Sequence, residues 1–160
     1  MQDEIYMDEA LALAAEAAAE GEVPVGCVIV RSDKIVGRGR NRRETAKNAL
    51  GHAEIEAIND ACRNLGGWRL WDCTLYVTLE PCPMCAGAIV NARIPRVVYG
   101  AADSKCGACG SVCNLFEAEF NHHPTVTAGV REEEAAALLT EFFKELRVTL
   151  RSRPKWRRPE

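Results

Sequence analysis

Thr74-Leu75-Tyr76-Val77-Thr78-Leu79-Glu80-Pro81-Cys82-Pro83-Met84-Cys85-Ala86-Gly87-Ala88-Ile89-Val90 changes its hydrophobic period halfway along. Thr74 through Leu79 is apolar, β-branched and aromatic enough to be a buried strand. From Cys82 onward, Cys85, Ala88, Ile89 and Ala92 recur at helical spacing. Glu80-Pro81 marks the switch, and Pro81 and Pro83 suit a first helical turn, where a missing amide donor costs little. Beyond Ile94-Pro95, Arg96 to Tyr99 reads as the next strand. Upstream, Val25–Val30 and Ile35–Arg40 form a hairpin around the polar turn Arg31-Ser32-Asp33-Lys34. After a polar loop from Asn41 to Gly51, Ile55, Ile58, Cys62 and Leu65 mark a helix opened by His52 and Glu54 and stopped by Gly66-Gly67. Two strand-to-helix units in succession predict neighbouring parallel strands with right-handed crossovers, so that both helix N-termini emerge on one edge of the sheet. That edge brings His52 to Cys82 and Cys85.

The remaining elements lie at the two ends. Asp3 to Glu20 is rich in Ala, Leu and Glu and closes at Gly21, a first helix. Thr125 to Val130 predicts a last strand. Ala135, Leu138, Leu139, Phe142, Phe143 and Leu146 mark one face of a terminal helix. With 160 residues the chain is most economically one domain, residues 1–160, able to bury a core without disulfides. Acidic residues Asp3, Glu4, Asp8, Glu9, Glu16 and Glu20 interrupt its N-terminal apolar run, which reads as neither signal peptide nor membrane span. A cytoplasmic protein without membrane association is expected. There, eight cysteines point to reduced thiols and metal ligation rather than a disulfide framework.

The chemistry rests on two short motifs. His-x-Glu alone means little, and Cys-x-x-Cys alone marks a structural zinc knuckle or a redox pair as often as a catalytic centre. Together they are far more specific. One imidazole (His52) and two thiolates (Cys82 and Cys85) supply three positions of a tetrahedral Zn²⁺ and leave the fourth for water, the pattern of a catalytic site. A helix N-terminus favours thiolate over thiol through its dipole. Glu54, two residues after His52, can sit beside the metal without ligating it and act as a general acid/base. A closed structural site would supply a fourth protein ligand, which disfavours a purely structural zinc module.

Glu22-Val23-Pro24-Val25-Gly26, His52-Ala53-Glu54-Ile55 and Leu75 through Gly87 together resemble the bacterial tRNA adenosine deaminase (TadA-type) family, within the cytidine/deoxycytidylate deaminase superfamily. The similarity runs along nearly the whole chain. It implies an α/β fold, a cytidine-deaminase-like three-layer α/β/α sandwich around a central mixed sheet of about five strands. It implies one Zn²⁺ per chain, a homodimer, and a tRNA anticodon stem-loop as partner, whose wobble adenosine becomes inosine by hydrolysis at C6. Residue by residue, it places a base-contacting Asn at Asn41 and an apolar surround at Val23, Val25 and Ala53. Asp103 and Lys105, in Gly100-Ala101-Ala102-Asp103-Ser104-Lys105, and the pair Asn121-His122 would touch the anticodon loop. Phe143 and Arg147, with Phe142 and Lys144, match residues flanking that loop in type only. By general burial tendency alone, Phe142 and Phe143 read as core. Zinc with glutamate would equally serve a small-molecule deaminase acting on guanine, cytosine or cytidine.

The chain departs from the family at Cys106-Gly107-Ala108-Cys109 and Cys113. These cysteines read as inert buried residues, as a second metal site with His122 or His123, or as a redox pair, and burial tendency favours the first. A net charge of −3 excludes a general nucleic-acid binder. Arg147, Arg151, Arg153, Lys155, Arg157 and Arg158 nevertheless make the C-terminus basic. From about residue 152 this tail reads as a frayed end or a phosphate-contacting segment.

Overall fold

The computed structural model describes residues 2–152. Arg153, Lys155, Arg157 and Arg158 of the basic tail lie outside the described residues. Helix α1 (Gln2–Ala19) is followed by the hairpin β1 (Gly26–Arg31) and β2 (Lys34–Arg40). Then come α2 (Ala53–Leu65), β3 (Cys73–Leu79), α3 (Pro83–Asn91) and β4 (Arg96–Ala101). A short 3₁₀ turn at Leu115–Glu117, β5 (Thr125–Thr127) and α4 (Glu132–Arg151) complete the fold. The strands form one mixed sheet in the order β2-β1-β3-β4-β5. β1 is antiparallel to both β2 and β3, while β3, β4 and β5 run parallel. α1 and α4 cover one face, and α2 and α3 the other. This is the expected three-layer α/β/α sandwich with five strands.

One topological expectation needs correction. β3 and β4 are neighbouring parallel strands, but the strand that feeds α2 is β2, which is separated from β3 by β1. Burial explains the order. Gly26 to Val30 of β1 are all buried, so β1 takes an interior position. β2 carries Arg38 and Arg40 and is exposed along part of its length, as an edge strand should be. β2 still points the same way as β3, because each is antiparallel to β1. The N-termini of α2 and α3 therefore share one edge, as expected. The hairpin turn is tight, with Ser32 at φ 49° and Asp33 at φ 59°, the left-handed pair that a two-residue type I′ turn requires.

Close packing sets where α2 sits. A Cβ on Gly39 of β2 would overlap the backbone carbonyl of Ala53, so only glycine lets the first turn of α2 lie against the edge strand. Gly66 closes α2 in the left-handed conformation (φ 72°), and the Gly67 amide returns to the Cys62 carbonyl. On the other face, α1 presents the small residues Ala10, Ala14 and Ala17 beside Met7, all fully buried. Asp3 pins this helix to the sheet, accepting two hydrogen bonds from the Arg96 guanidinium at 2.8 and 2.7 Å and one from the Tyr76 hydroxyl at 2.9 Å. Leu75, Ile89 and Val97 are fully buried between sheet and helices. Truncating such a leucine or isoleucine to alanine costs about 2–5 kcal/mol.

The C-terminal third departs from the sequence expectation twice. The last strand stops at Thr127, because Gly129 (φ 80°) and Arg131 (φ 57°) turn the chain into α4. Along α4 only Ala135 is buried; Leu138, Leu139 and Phe142 are half-covered, and Phe143 and Leu146 are exposed. The apolar stripe is therefore not a core face along its length. Phe142 packs edge-on against Phe143 at 5.5 Å.

Candidate active site

Four chain segments end on the sheet edge where α2 and α3 begin. His52 is the N-cap of α2 (φ −82°, ψ 151°) and Cys82 the N-cap of α3 (φ −74°, ψ 172°), followed by Pro83 at its first position. Extended backbone at both caps, with no side-chain cap bond at either, leaves the imidazole and the thiol free to turn toward each other. His52 Nδ1 lies 3.6 Å from Cys82 Sγ and 3.5 Å from Cys85 Sγ. Among the described residues this is the only group of three or more His, Cys, Asp or Glu side chains close enough to share a metal ion.

The electrostatics favour a cation. The hydrogen bond from the Cys85 thiol, and then His52, brings the Cys82 thiol down to about 4 against the opposing effect of burial. The same thiol contact, with burial, pushes Cys85 strongly upward. The bond to Cys82 raises His52. The two sulfurs and the imidazole thus compete for protons, and a positive ion among them removes that competition.

Glu54 lies on the first turn of α2, 4% exposed, and its remaining exposure is to a cleft of about 540 Å³. That is the size range of small-ligand sites. Burial, the largest influence, lifts the Glu54 carboxyl to about 7. Val23 and Val25, from the connection between α1 and β1, line the cleft beside Ala53. Asn41 follows β2. Its side-chain amide donates to the Val23 carbonyl at 3.3 Å and its Oδ1 accepts from the Arg43 amide at 3.1 Å, so its orientation is set by the protein. The opposite wall is Ala102 to Cys106, containing Asp103 and Lys105. Leu139 and Phe143 of α4 close one side.

The cleft therefore gathers Val23, Val25, Asn41, His52, Ala53, Glu54, Cys82, Asp103, Lys105 and Phe143. Cys85 lies fully buried behind Cys82. Asn121, His122 and Arg147 do not line it; His122 Nε2 is 2.7 Å from the Ile94 carbonyl oxygen, and Arg147 is exposed on α4. Phe143 is 41% exposed and lines the cleft, which corrects its reading as core. Arg43, Leu139 and Ser104 also line the cleft. The spacing of Leu139 from Phe143, one helical turn, was the available signal.

The extra cysteines divide. Cys109 is buried, whereas Cys106 and Cys113 are exposed, so the inert buried reading holds for Cys109 alone. No metal-ligand cluster includes them among the described residues. His123 Nδ1 meets the Phe116 carbonyl at 2.8 Å, as His122 Nε2 meets that of Ile94, and among the described residues neither histidine joins these cysteines in a metal-ligand group.

Comparison with known proteins agrees with this geometry. Residues 1–147 match the MafB19-like deaminase family. The tRNA-specific adenosine deaminase of Bacillus subtilis (strain 168) is 52% identical over 147 residues, 91% of either chain. A solved structure from work on A-to-I editing by tRNA:A34 deaminases at the wobble position of transfer RNA superposes with a TM-score of 0.81. It is 44% identical and covers 84% of this chain and 98% of its own. A guanine deaminase from Nitrosomonas europaea superposes with a TM-score of 0.77 at 25% identity, over 87% of this chain and 83% of its own. A matched family across the length of both described motifs, and a half-identical relative of the same extent, establish that this chain belongs to the tRNA-specific adenosine deaminase family.

Proposed function

We propose that the protein deaminates adenosine to inosine at the wobble position of a tRNA anticodon, by hydrolysis, with one Zn²⁺ per chain. The observation that carries this is the clustering of His52, Cys82 and Cys85 as three metal-ligating side chains, with the buried carboxylate of Glu54, at a cleft lined by His52, Glu54 and Cys82. A tetrahedral zinc with Zn–N of about 2.0–2.1 Å and Zn–S of about 2.3 Å brings nitrogen and sulfur to about 3.6 Å apart. His52 Nδ1 meets the two sulfurs at 3.6 and 3.5 Å, so the donor set fits zinc. Bound there, zinc would supply a Lewis acid that lowers the pKa of water to about 7.

The chain's own residues do the rest. Water adds at C6 of adenine, the C6–N bond breaks, and ammonia leaves. Glu54 takes a proton from water and delivers one to the departing nitrogen, a double role open to a carboxyl that lies beside the metal ligands without being one of them. Val23, Val25 and Ala53 would exclude bulk water around the base, and the Asn41 amide, held by its neighbours, would read the base edge. Arg43 and Lys105 put cations on opposite walls of the cleft, which supports a phosphate-bearing polymer over a free base. Asp103 would face sugar or phosphate, Asn121, His122 and Arg147 would meet nucleotides beyond the cleft, and Phe143 would stack on one. A homodimer working in the cytoplasm completes the reading. The exposed side chains of Leu50, Trp68 and Trp71 are candidates for cover by a second copy.

The test is to incubate the protein with an anticodon stem-loop carrying adenosine at the wobble position, and separately with free adenosine, cytidine and guanine. Inosine from the stem-loop, with little product from the others, is expected. Turnover of guanine or cytidine with none of the stem-loop would establish a small-molecule deaminase instead.

A further inference from the structure

Two carboxylates outside the proposed chemistry are almost completely buried: Glu22 is 1% exposed and Glu80 2%. A buried charge is costly unless donors surround it, and here the donors come from the loops after β2 and after β4, which supply two walls of the cleft. Glu22 Oε1 accepts from the Glu44 amide at 3.0 Å. Its Oε2 accepts from the Thr45 amide at 3.1 Å and the Thr45 hydroxyl at 3.0 Å. Glu80 Oε1 accepts from the Asp103 amide at 3.1 Å and from the Ser111 hydroxyl. Its Oε2 accepts from the amides of Cys109 at 3.0 Å and Ser111 at 3.2 Å. The Gly107 backbone packs so closely on this carboxylate that a Cβ would overlap it.

Each wall is a stretch between a strand and the next element, without a helix or sheet ladder of its own where it meets the cleft. Long irregular segments of this kind are ordered by specific anchors or not at all. One wall carries Asn41 and Arg43, the other Asp103 and Lys105. Each is tied by one carboxylate, Glu22 before β1 or Glu80 after β3, through backbone amides and one side-chain hydroxyl, that of Thr45 or Ser111.

We propose that Glu22 and Glu80 are a matched pair of positioning residues, each fastening one wall of the cleft so that the RNA-binding shape exists before RNA arrives. This rests on the reading of the cleft as an RNA-loop site. Preorganisation removes an ordering cost from binding, so loss of either clamp raises KM more than it lowers kcat.

The test compares Glu22→Gln and Glu80→Gln with the parent protein by amide hydrogen exchange, metal content and stem-loop kinetics. Glu80→Gln should speed exchange at Asp103, Cys109 and Ser111 by about tenfold, a loss of about one charge-assisted hydrogen bond, and leave Glu44 and Thr45 protected. Glu22→Gln should do the reverse. Both should keep one metal per chain and raise KM about tenfold, with kcat within about threefold. Loosening of both walls by either variant would overturn the proposal, as would loosened walls with unchanged KM. If the parent does not turn over the stem-loop, the RNA reading fails, and the exchange pattern still decides whether the carboxylates are separate clamps. Should either glutamine variant fail to fold, Thr45→Ala and Ser111→Ala each remove one donor and must loosen only their own wall.

Discussion

Replacing Glu54 by glutamine should sharply reduce turnover while making the metal-free protein more stable, and the second effect can be sized from the structure. Burial lifts this carboxyl from 4.5 to about 7. The folded state therefore holds a proton that the unfolded chain releases near 4.5, and stability falls as pH rises between those values. At about 1.4 kcal/mol per pH unit the fall is about 3 kcal/mol. Glutamine fits the same space without a charge to desolvate. The variant and the parent should unfold alike below about pH 4, diverge between about pH 4.5 and 7, and differ by about 3 kcal/mol above that, in favour of the variant. Urea unfolding of chelator-treated protein at a series of pH values measures this. Turnover in the metal-loaded form should drop by about 10²–10⁴-fold, the usual contribution of a general acid/base. Metal content should be unchanged, since His52, Cys82 and Cys85 are intact. A variant that unfolds more easily than the parent at pH 8 would refute the desolvation reasoning, and one that turns over normally would refute the proton-transfer role.

The double substitution Cys82→Ala, Cys85→Ala should abolish the proposed binding of one zinc per chain, read by elemental analysis of washed protein, and with it all deamination. Phe143→Ala should raise KM for the stem-loop by about tenfold, as loss of a stacking surface does, with a thermal midpoint close to the parent's because the ring is 41% exposed. Asp103→Asn should fold normally, since Asp103 Oδ1 accepts from the Lys105 and Cys106 amides at 3.0 and 3.1 Å and an asparagine oxygen can do the same. With its charge gone, repulsion of a nucleic-acid backbone falls and discrimination between RNA and DNA loops should relax; relative kcat/KM on the two loops is the measure.

The chain itself determined the local elements and the candidate reacting groups. The switch of period at Glu80-Pro81, the Gly66 stop and the alanine-rich first helix are short-range patterns, set by side-chain periodicity and by backbone preferences within a few residues. His52, Glu54, Cys82 and Cys85 could be singled out as candidates because metal and proton chemistry admits few residue types, and the fold brings the first, third and fourth of them into one possible metal-ligand group. Strand order was decided elsewhere: β1 lies between β2 and β3 because a strand buried from Gly26 to Val30 is stable only inside a sheet, a property of packing against strands distant in sequence. The same holds for Phe143, whose apolar spacing suits a core equally well but whose helix meets the body chiefly near Ala135. The Glu54 carboxyl near 7 and the buried clamps Glu22 and Glu80 depend on desolvation and on amides contributed from remote loops. Those quantities come into being only when the folded chain excludes water around them.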